Sequence, residues 1–277
     1  MPATIILQFG NRAIGPLPAS DPAGLVPTLE RTKLSSPNAP QTVRYPSFRD
    51  GVMLCGAFAG PDMVSWIAHT VDGGARRQNL GVIVVDRNTR TEATMSNCLL
   101  TKVTLPALDK GSNADAIMRV AFRPEKVSFS RSSNVGTLPA VPALRPWKVN
   151  EFEFAVEGMG PNLGIQTIDA MVIQQGVKEI YSTPDSDPDI EPTNISESNL
   201  ALTVSLNYGQ KFYDWFAAVN ARGGGNQFER KGSLRYGNAA KPVATLRLDD
   251  MAPLTITRSG NTLRIELYCV GAAIDAF

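Results

Sequence analysis

The chain says the same thing twice. "GPDMVSWIAHTVDGG" begins at Gly60 and "GQKFYDWFAAVNARGGG" at Gly209, and 149 positions separate Gly60 from Gly209 and, equally, Trp66 from Trp215. Each stretch reads as a short helix with a tryptophan near its middle, ended by glycines that take the left-handed cap conformation without a Cβ penalty. A strand of period two precedes each helix: "GVMLCGAFAG", with Met53, Cys55 and Ala57 on one face, and "NLALTVSLNYG", with Leu200, Leu202, Val204 and Leu206 on one face. Two copies of a unit of roughly 130 residues are too few and too long for a solenoid. They specify two like domains in tandem.

The second copy is the easier to lay out. "EFEFAVEG" alternates as a half-buried strand and "IQTIDAMVIQQ" reads as another. "STPDSDPDIEPTNISES" is polar, acidic and broken by prolines that lack the N–H a central ladder needs, so it is expected to be a long exposed loop. In the helix, Phe212, Trp215, Phe216 and Val219 fall at i, i+3, i+4 and i+7 and are expected to face inward, before Gly223, Gly224 and Gly225 end it. "KGSLRY", "PVATLRLDD" and "NTLRIELYCV" follow as strands.

The first copy has the same order. "TIILQF" is a strand, residues Gly10 to Ser47 are loop-rich, and the helix around Trp66 stops at Gly73 and Gly74. Then come "LGVIVVDR", "EATMSNCLLTKVTL" and "AIMRVAFRPEKVSFS". Between the copies, "SSNVGTLPAVPALRPWK" is proline-rich and unpatterned, as a linker is. The expected organisation is a first domain at 1–130, a linker at 131–148 and a second domain at 149–277. The expected fold is mainly β, two β-sandwich or barrel domains, each with one flanking α-helix. The 20 prolines and 23 glycines suit such a turn-rich β protein.

Charge and cysteine content narrow the function classes. A net charge of +1 gives no global pull toward nucleic acid or anionic lipid. No apolar run approaches the ~20 residues that span a bilayer as a helix. "MPATIILQFGNR" lacks the basic start and long apolar run of a signal peptide, so folding in reducing cytosol is expected. Cys55, Cys98 and Cys269 are sparse, odd in number and set among apolar residues, which reads as buried thiols rather than a disulfide framework.

The catalytic inventory is thin. His69 is the only histidine and lies where the second copy has Ala218, so it reads as a helix-surface or packing residue; a two-histidine metal site is excluded, and with no Gly-x-Ser-x-Gly a catalytic triad is not expected. Asp185, Asp187 and Asp189 alternate like the start of an EF-hand, but Ile190 stands where that loop requires glycine. "RGGGN" follows a helix, whereas a phosphate loop precedes one. Arg76, Arg77, Arg230 and Lys231 occupy equivalent places after the two helices and read as a solvated strand entrance or an interface rim. No catalytic residue, metal or cofactor is expected.

Several stretches nonetheless resemble a known family. The "Asp214-Trp215" helix, the basic strand from Arg230 to Leu234 and the final strand from Leu263 to Cys269 are similar to the tail-tube proteins of contractile phage tails and related injection systems. The first copy supplies "Ser65-Trp66", the run Asp72 to Arg77, Leu80 to Asp86 and Ala116 to Val127, and "VIVVDRNTRTEATMSNCLLTKV" looks like the family's central hairpin. The resemblance covers roughly Val52 to Phe129 and Glu151 to Ala273. It departs from the family in carrying the tube domain twice and in its long polar N-terminal stretch.

That resemblance implies a non-enzymatic structural subunit. Its rings, hexameric in the simplest case, would stack into a tube that passes DNA or effector cargo without sequence-specific binding. The homo-oligomer would meet sheath, baseplate hub and terminator proteins, with no membrane. It would assemble in the host bacterial cytoplasm and end in the virion tail or injection particle. Trp66, Trp215, Phe212 and Phe216 would form the helix cores, and Asp185, Asp187, Asp189 and Glu191 an inter-ring loop. Two alternatives stay open: a tube-initiating baseplate or hub adaptor, trimeric with pseudo-sixfold symmetry, and a cytosolic β-sandwich module binding carbohydrate or peptide.

Overall fold

A computed structural model describes residues 4–10, 12–16, 29–33, 43–56, 60–74, 76–140, 147–182, 186–221, 226–238 and 240–276. The first half contains β1 (Thr4–Phe9), β2 (Arg12–Pro16), β3 (Leu29–Lys33), β4 (Val43–Phe48), β5 (Gly51–Gly56), α1 (Pro61–Val71), β6 (Gln78–Asp86), β7 (Thr89–Thr104), β8 (Leu108–Asp109), β9 (Ile117–Arg123) and β10 (Lys126–Ser132). The second contains β11 (Phe152–Val156), β12 (Ile165–Ile168), β13 (Val172–Ile180), β14 (Asp189–Glu197), β15 (Leu200–Ser205), α2 (Gln210–Ala221), β16 (Arg230–Asn238), β17 (Lys241–Ser259), β18 (Thr262–Tyr268) and β19 (Gly271–Ala276). Among the described residues the fold is mainly β, with two large sheets and two α-helices, as the patterning requires.

The repeat extends to backbone detail. β7 and β17 are each long enough to serve two layers. The first part of β7 pairs with β6 and β10 and its last part with β9; the first part of β17 pairs with β16 and β19 and its last part with β18. Both strands change layer at the same point. Asn97 (φ 53) and Asp250 (φ 49) take the left-handed conformation, which Asn and Asp tolerate best after glycine, and 153 positions separate them. A register shift follows at Leu100/Lys102 and again, 153 residues on, at Pro253/Thr255. Such bulges bend a strand around a corner.

The tryptophans repeat as well. Trp66 and Trp215 are buried, and each indole N–H donates to a backbone carbonyl: Arg76 at 2.7 Å and Phe228 at 2.8 Å. Those two acceptors each lie two residues before equivalent strands, β6 and β16. A large aromatic ring fills each core while its polar edge fixes the chain that leaves the helix. Phe9 meets Trp66 edge-on at 5.4 Å. Met53, Cys55, Leu202 and Val204 are buried as their alternation predicts. One connected apolar cluster runs through both halves.

Several expectations are corrected. The stretch Gly10 to Ser47 contains strands β2, β3 and β4. The acidic segment is not a loop throughout, because β14 begins at Asp189. Its Pro192 is accommodated since β14 is the edge strand of the nine-stranded sheet, beside a register shift in β13. "IQTIDAMVIQQ" is broken into β12 and β13, and Pro124 separates β9 from β10. The C-terminal β19 was not foreseen. Trp147, at the end of the expected linker, is buried against Tyr236, with ring centroids 5.4 Å apart, and Lys148 pairs with Asp115 at 2.6 Å. Ala57, Asp185 and the glycines 223–225 lie outside the described residues.

Candidate assembly interface

The halves are joined through their backbones. β7 carries apolar residues on both faces near its end, with Leu99, Leu100 and Val103 all buried, and a strand shut away from water needs neighbours on both edges to pair its backbone N–H and C=O groups. β9 takes one edge. The other is taken by a strand of the second half: Thr104, Val103 and Lys102 of β7 pair antiparallel with Val172, Ile173 and Gln174 of β13. The β13–β14 hairpin thereby completes the first half's sheet. Reciprocally, Leu108 and Asp109 of β8 pair with Ile168 and Thr167 of β12, so the eight-stranded sheet ends on a strand of the first half. The Leu105 amide adds a bond to the Met171 carbonyl at 2.8 Å.

Two charged groups clamp the joint. One carboxylate oxygen of Glu125 accepts from Arg77 Nε at 3.2 Å and from the Ile190 amide at 3.3 Å; its other oxygen accepts from Asn97 Nδ2 at 2.7 Å. The Arg77 guanidinium also donates to the Ile190 carbonyl, so one residue of β14 is held at both backbone groups. In the second clamp, Arg123 reaches Asp50 of its own half at 2.8 Å and Glu179 of β13 at 3.3 Å. Thr101 steadies Asp50 with a 2.6 Å bond and Tyr181 steadies Glu179 with a 2.7 Å bond.

The third contact is helix on strand. α1 packs against β19 of the second half, whereas α2 packs against β17 of its own half. Glu197, at the end of β14, accepts from the Ala272 amide of β19; burial raises its carboxyl above the ordinary range and that bond partly offsets the rise. Lys110, after β8, sits 4.0 Å over the Phe152 ring and donates to the Asn150 carbonyl at 3.2 Å. Burial lowers its pKa, and nearby Glu153 acts in the opposite sense.

The residues singled out in the sequence fall as follows. Trp66, Phe212 and Trp215 are buried, and Phe216 is half-buried. Asp187, Asp189 and Glu191 are exposed, the latter two on a strand rather than a loop. His69 is exposed, with Nδ1 3.0 Å from the Ser65 carbonyl. Arg76 donates to Ser65 Oγ at 2.8 Å, Arg230 lies 5.6 Å over Trp215, and Lys231 pairs with Asp249 at 3.4 Å. Among the described residues, no three of His, Cys, Asp or Glu converge as metal ligands would, and no helix is long and apolar enough to cross a membrane. An open depression of about 670 Å³ lies on the eight-stranded sheet, lined by Ala155, Glu157, Ser233, Arg247 and Ala273 among others. Sequence reasoning missed Glu125, Arg123, Asp50 and Glu179, whose oppositely charged partners are 48 to 73 positions away and leave no local signature.

No family model matches the chain, and no curated protein matches it. Among solved structures, a chain of the sixfold-symmetrised baseplate of the anti-feeding prophage is similar over 50% of this chain and 97% of its own, with 15% identity and a TM-score of 0.36. A chain of the same prophage's tube-terminating cap is similar over 52% of this chain and 99% of its own, with 14% identity and a TM-score of 0.38. At these TM-scores the likeness fixes neither family nor role.

Proposed function

We propose that this chain is a non-enzymatic structural subunit of the inner tail tube of a contractile phage tail or related injection system. The observation that carries the reading is the joint itself: two copies of one unit meet by strand addition, with the β13–β14 hairpin of one completing the sheet of the other. Units that complete one another's sheets propagate into rings and tubes, because closure leaves no unpaired edge. The tube motifs quoted from both halves agree with this. Cargo, DNA or effector, would pass through without sequence-specific contacts, and sheath, hub and terminator proteins would be the partners.

One observation favours a second reading, a tube-initiating hub adaptor. Because each chain already contains two joined units, three chains supply six, which fits a trimer with pseudo-sixfold symmetry. End-on class averages from negative-stain electron microscopy of the full chain separate these readings. Sixfold rings or stacked tubes are expected for the tube subunit, and threefold rings with six inner lobes for the adaptor. Monomers that stay unassembled with hub and sheath proteins present would refute both.

A further inference from the structure

The joint between the halves is built from four surfaces, and among the described residues the repeat presents each of them a second time without its partner. Strand register fixes the correspondence. Ala93 of β7 stands between Val82 and Phe129, and Leu246 of β17 stands between Leu234 and Ile274, so Phe129 on β10 occupies the position of Ile274 on β19. Ile274 is 4% exposed, but Phe129 is 66% exposed. The difference has a visible cause among the described residues: α1 packs against β19, and no described helix packs in that way against β10.

The helices show the converse. Val64 and Ile67 of α1 are 3% and 0% exposed, whereas their counterparts 149 positions later on α2, Tyr213 and Phe216, are 38% exposed and half-buried. Thus α1 is covered on two sides, by its own half and by β19, while α2 is covered on one. Among the described residues, the first copy has a strand without its helix and the second a helix without its strand.

The sheet edges repeat the pattern. Lys102 to Thr104 of β7 receive β13, but the equivalent Thr255 to Thr257 of β17 pair only with β18 among the described strands. Leu254 beside them is 43% exposed. In chain order the first copy's counterpart of the β13–β14 hairpin is β3–β4, whose strands pair only with each other among the described strands. Both unfilled acceptors, α2 and the β17 edge, lie on the second half; both unfilled donors, β10 and β3–β4, lie on the first.

We propose that a second copy of this chain docks head to tail, with β10 of one chain laying Phe129 over Tyr213 and Phe216 of the next, and β3–β4 of the first chain adding to the Thr255–Thr257 edge. The contact between chains thereby repeats the contact within the chain, and the assembly closes as a ring of alternating covalent and non-covalent joints. The setting rests on the tube reading above; the surfaces themselves rest on the internal repeat.

The test is disulfide capture between full-length chains, in a Cys269→Ser background that removes the half-buried native thiol. Phe129→Cys and Tyr213→Cys variants are purified separately, mixed and oxidised. A mixed dimer at least about tenfold more abundant than either self-linked dimer is expected, with Phe129→Cys and exposed Glu157→Cys as the control pair. Capture no better than this control, or self-linked Phe129→Cys dimers as the main product, would overturn the proposal. Phe129→Asp should weaken self-association by at least about tenfold without lowering the melting temperature, because the ring is largely exposed in the single chain. Rings that persist unchanged in Phe129→Asp, with no mixed disulfide, would sink this joint and spare the tube reading. A mixed disulfide without rings, even with hub and sheath proteins added, would keep the joint and sink the tube reading.

Discussion

Replacing Glu125 with alanine tests whether the clamp holds the halves together. The side chain is 15% exposed and serves three donors, only one of which is stranded by its loss. That donor is the amide of Ile190, a fully buried residue. An orphaned buried N–H costs about 1–3 kcal/mol. Arg77, 37% exposed, and Asn97, at the surface, can turn to water, so together they add about 0.5–1 kcal/mol. Glu125→Ala is therefore expected to destabilise the protein by about 1.5–4 kcal/mol, or roughly 3–7 °C in melting temperature for a chain of this size. Glu125→Gln keeps an acceptor facing Ile190 and should lose only about 1 kcal/mol. Equilibrium urea unfolding gives the energies, and hydrogen exchange locates them, with protection at Ile190 falling first in Glu125→Ala. A loss below about 0.5 kcal/mol for Glu125→Ala, or equal losses for the two variants, would refute the reasoning, since the first removes the clamp and the second makes charge rather than acceptor geometry decisive.

Gly164 has φ +64, and a Cβ there would stand 2.2 Å from the Tyr208 ring, so Gly164→Ala should cost about 2–4 kcal/mol in thermal unfolding; Gly271→Ala, with nothing within 4 Å, should stay within about 0.5 kcal/mol, and equal effects would contradict this. Burial pushes the thiols of Cys55 and Cys98 up to about 12 and that of half-buried Cys269 to about 11, so iodoacetamide at pH 8 should alkylate Cys269 first and the other two only on unfolding; mass spectrometry showing Cys55 or Cys98 labelled as fast as Cys269 would reject it. Burial raises the Glu197 carboxyl in the folded state, so its contribution to stability is full below the unfolded pKa and is lost as pH rises through the folded one. Glu197→Gln should accordingly raise the melting temperature at pH 7 and lose that advantage as pH falls toward 4.5, and a gain that grows on acidification would have the sign wrong.

The repeat, both helices, their tryptophans and most strands were legible because side-chain periodicity records which face is buried. Trp66 and Trp215 align by counting, and the structure gives them the same indole bond. The acidic segment misled for a definite reason. Pro192 and alternating carboxylates argue against a central strand, but an edge strand needs only half its ladder, and Ile190 and Ile195 supply the inward side. β19 escaped because "GAAIDA" has one large apolar residue, and its burial comes from α1 of the other half.

The assembly interface was less legible still. Glu125 sits beside the proline that ends β9, a place where an isolated acidic residue reads as solvated. Nothing nearby indicates that it caps the amide of Ile190, 65 positions downstream. Arg123 and Glu179 are each ordinary strand-end charges until the fold brings them within 3.3 Å.

By itself, then, the order of residues determined that there are two like β units, each with a helix anchored by tryptophan, because composition, spacing and glycine placement act locally along the chain. Only the tertiary structure decided that β13 fills the edge of β7, that α1 is covered by β19, and that Phe129 and Tyr213 stay exposed. The physical reason is that strand edges join through backbone N–H and C=O groups, which every residue except proline offers alike. A sequence can state that an edge is apolar and must be covered; which edge covers it is settled by the geometry of the folded chain.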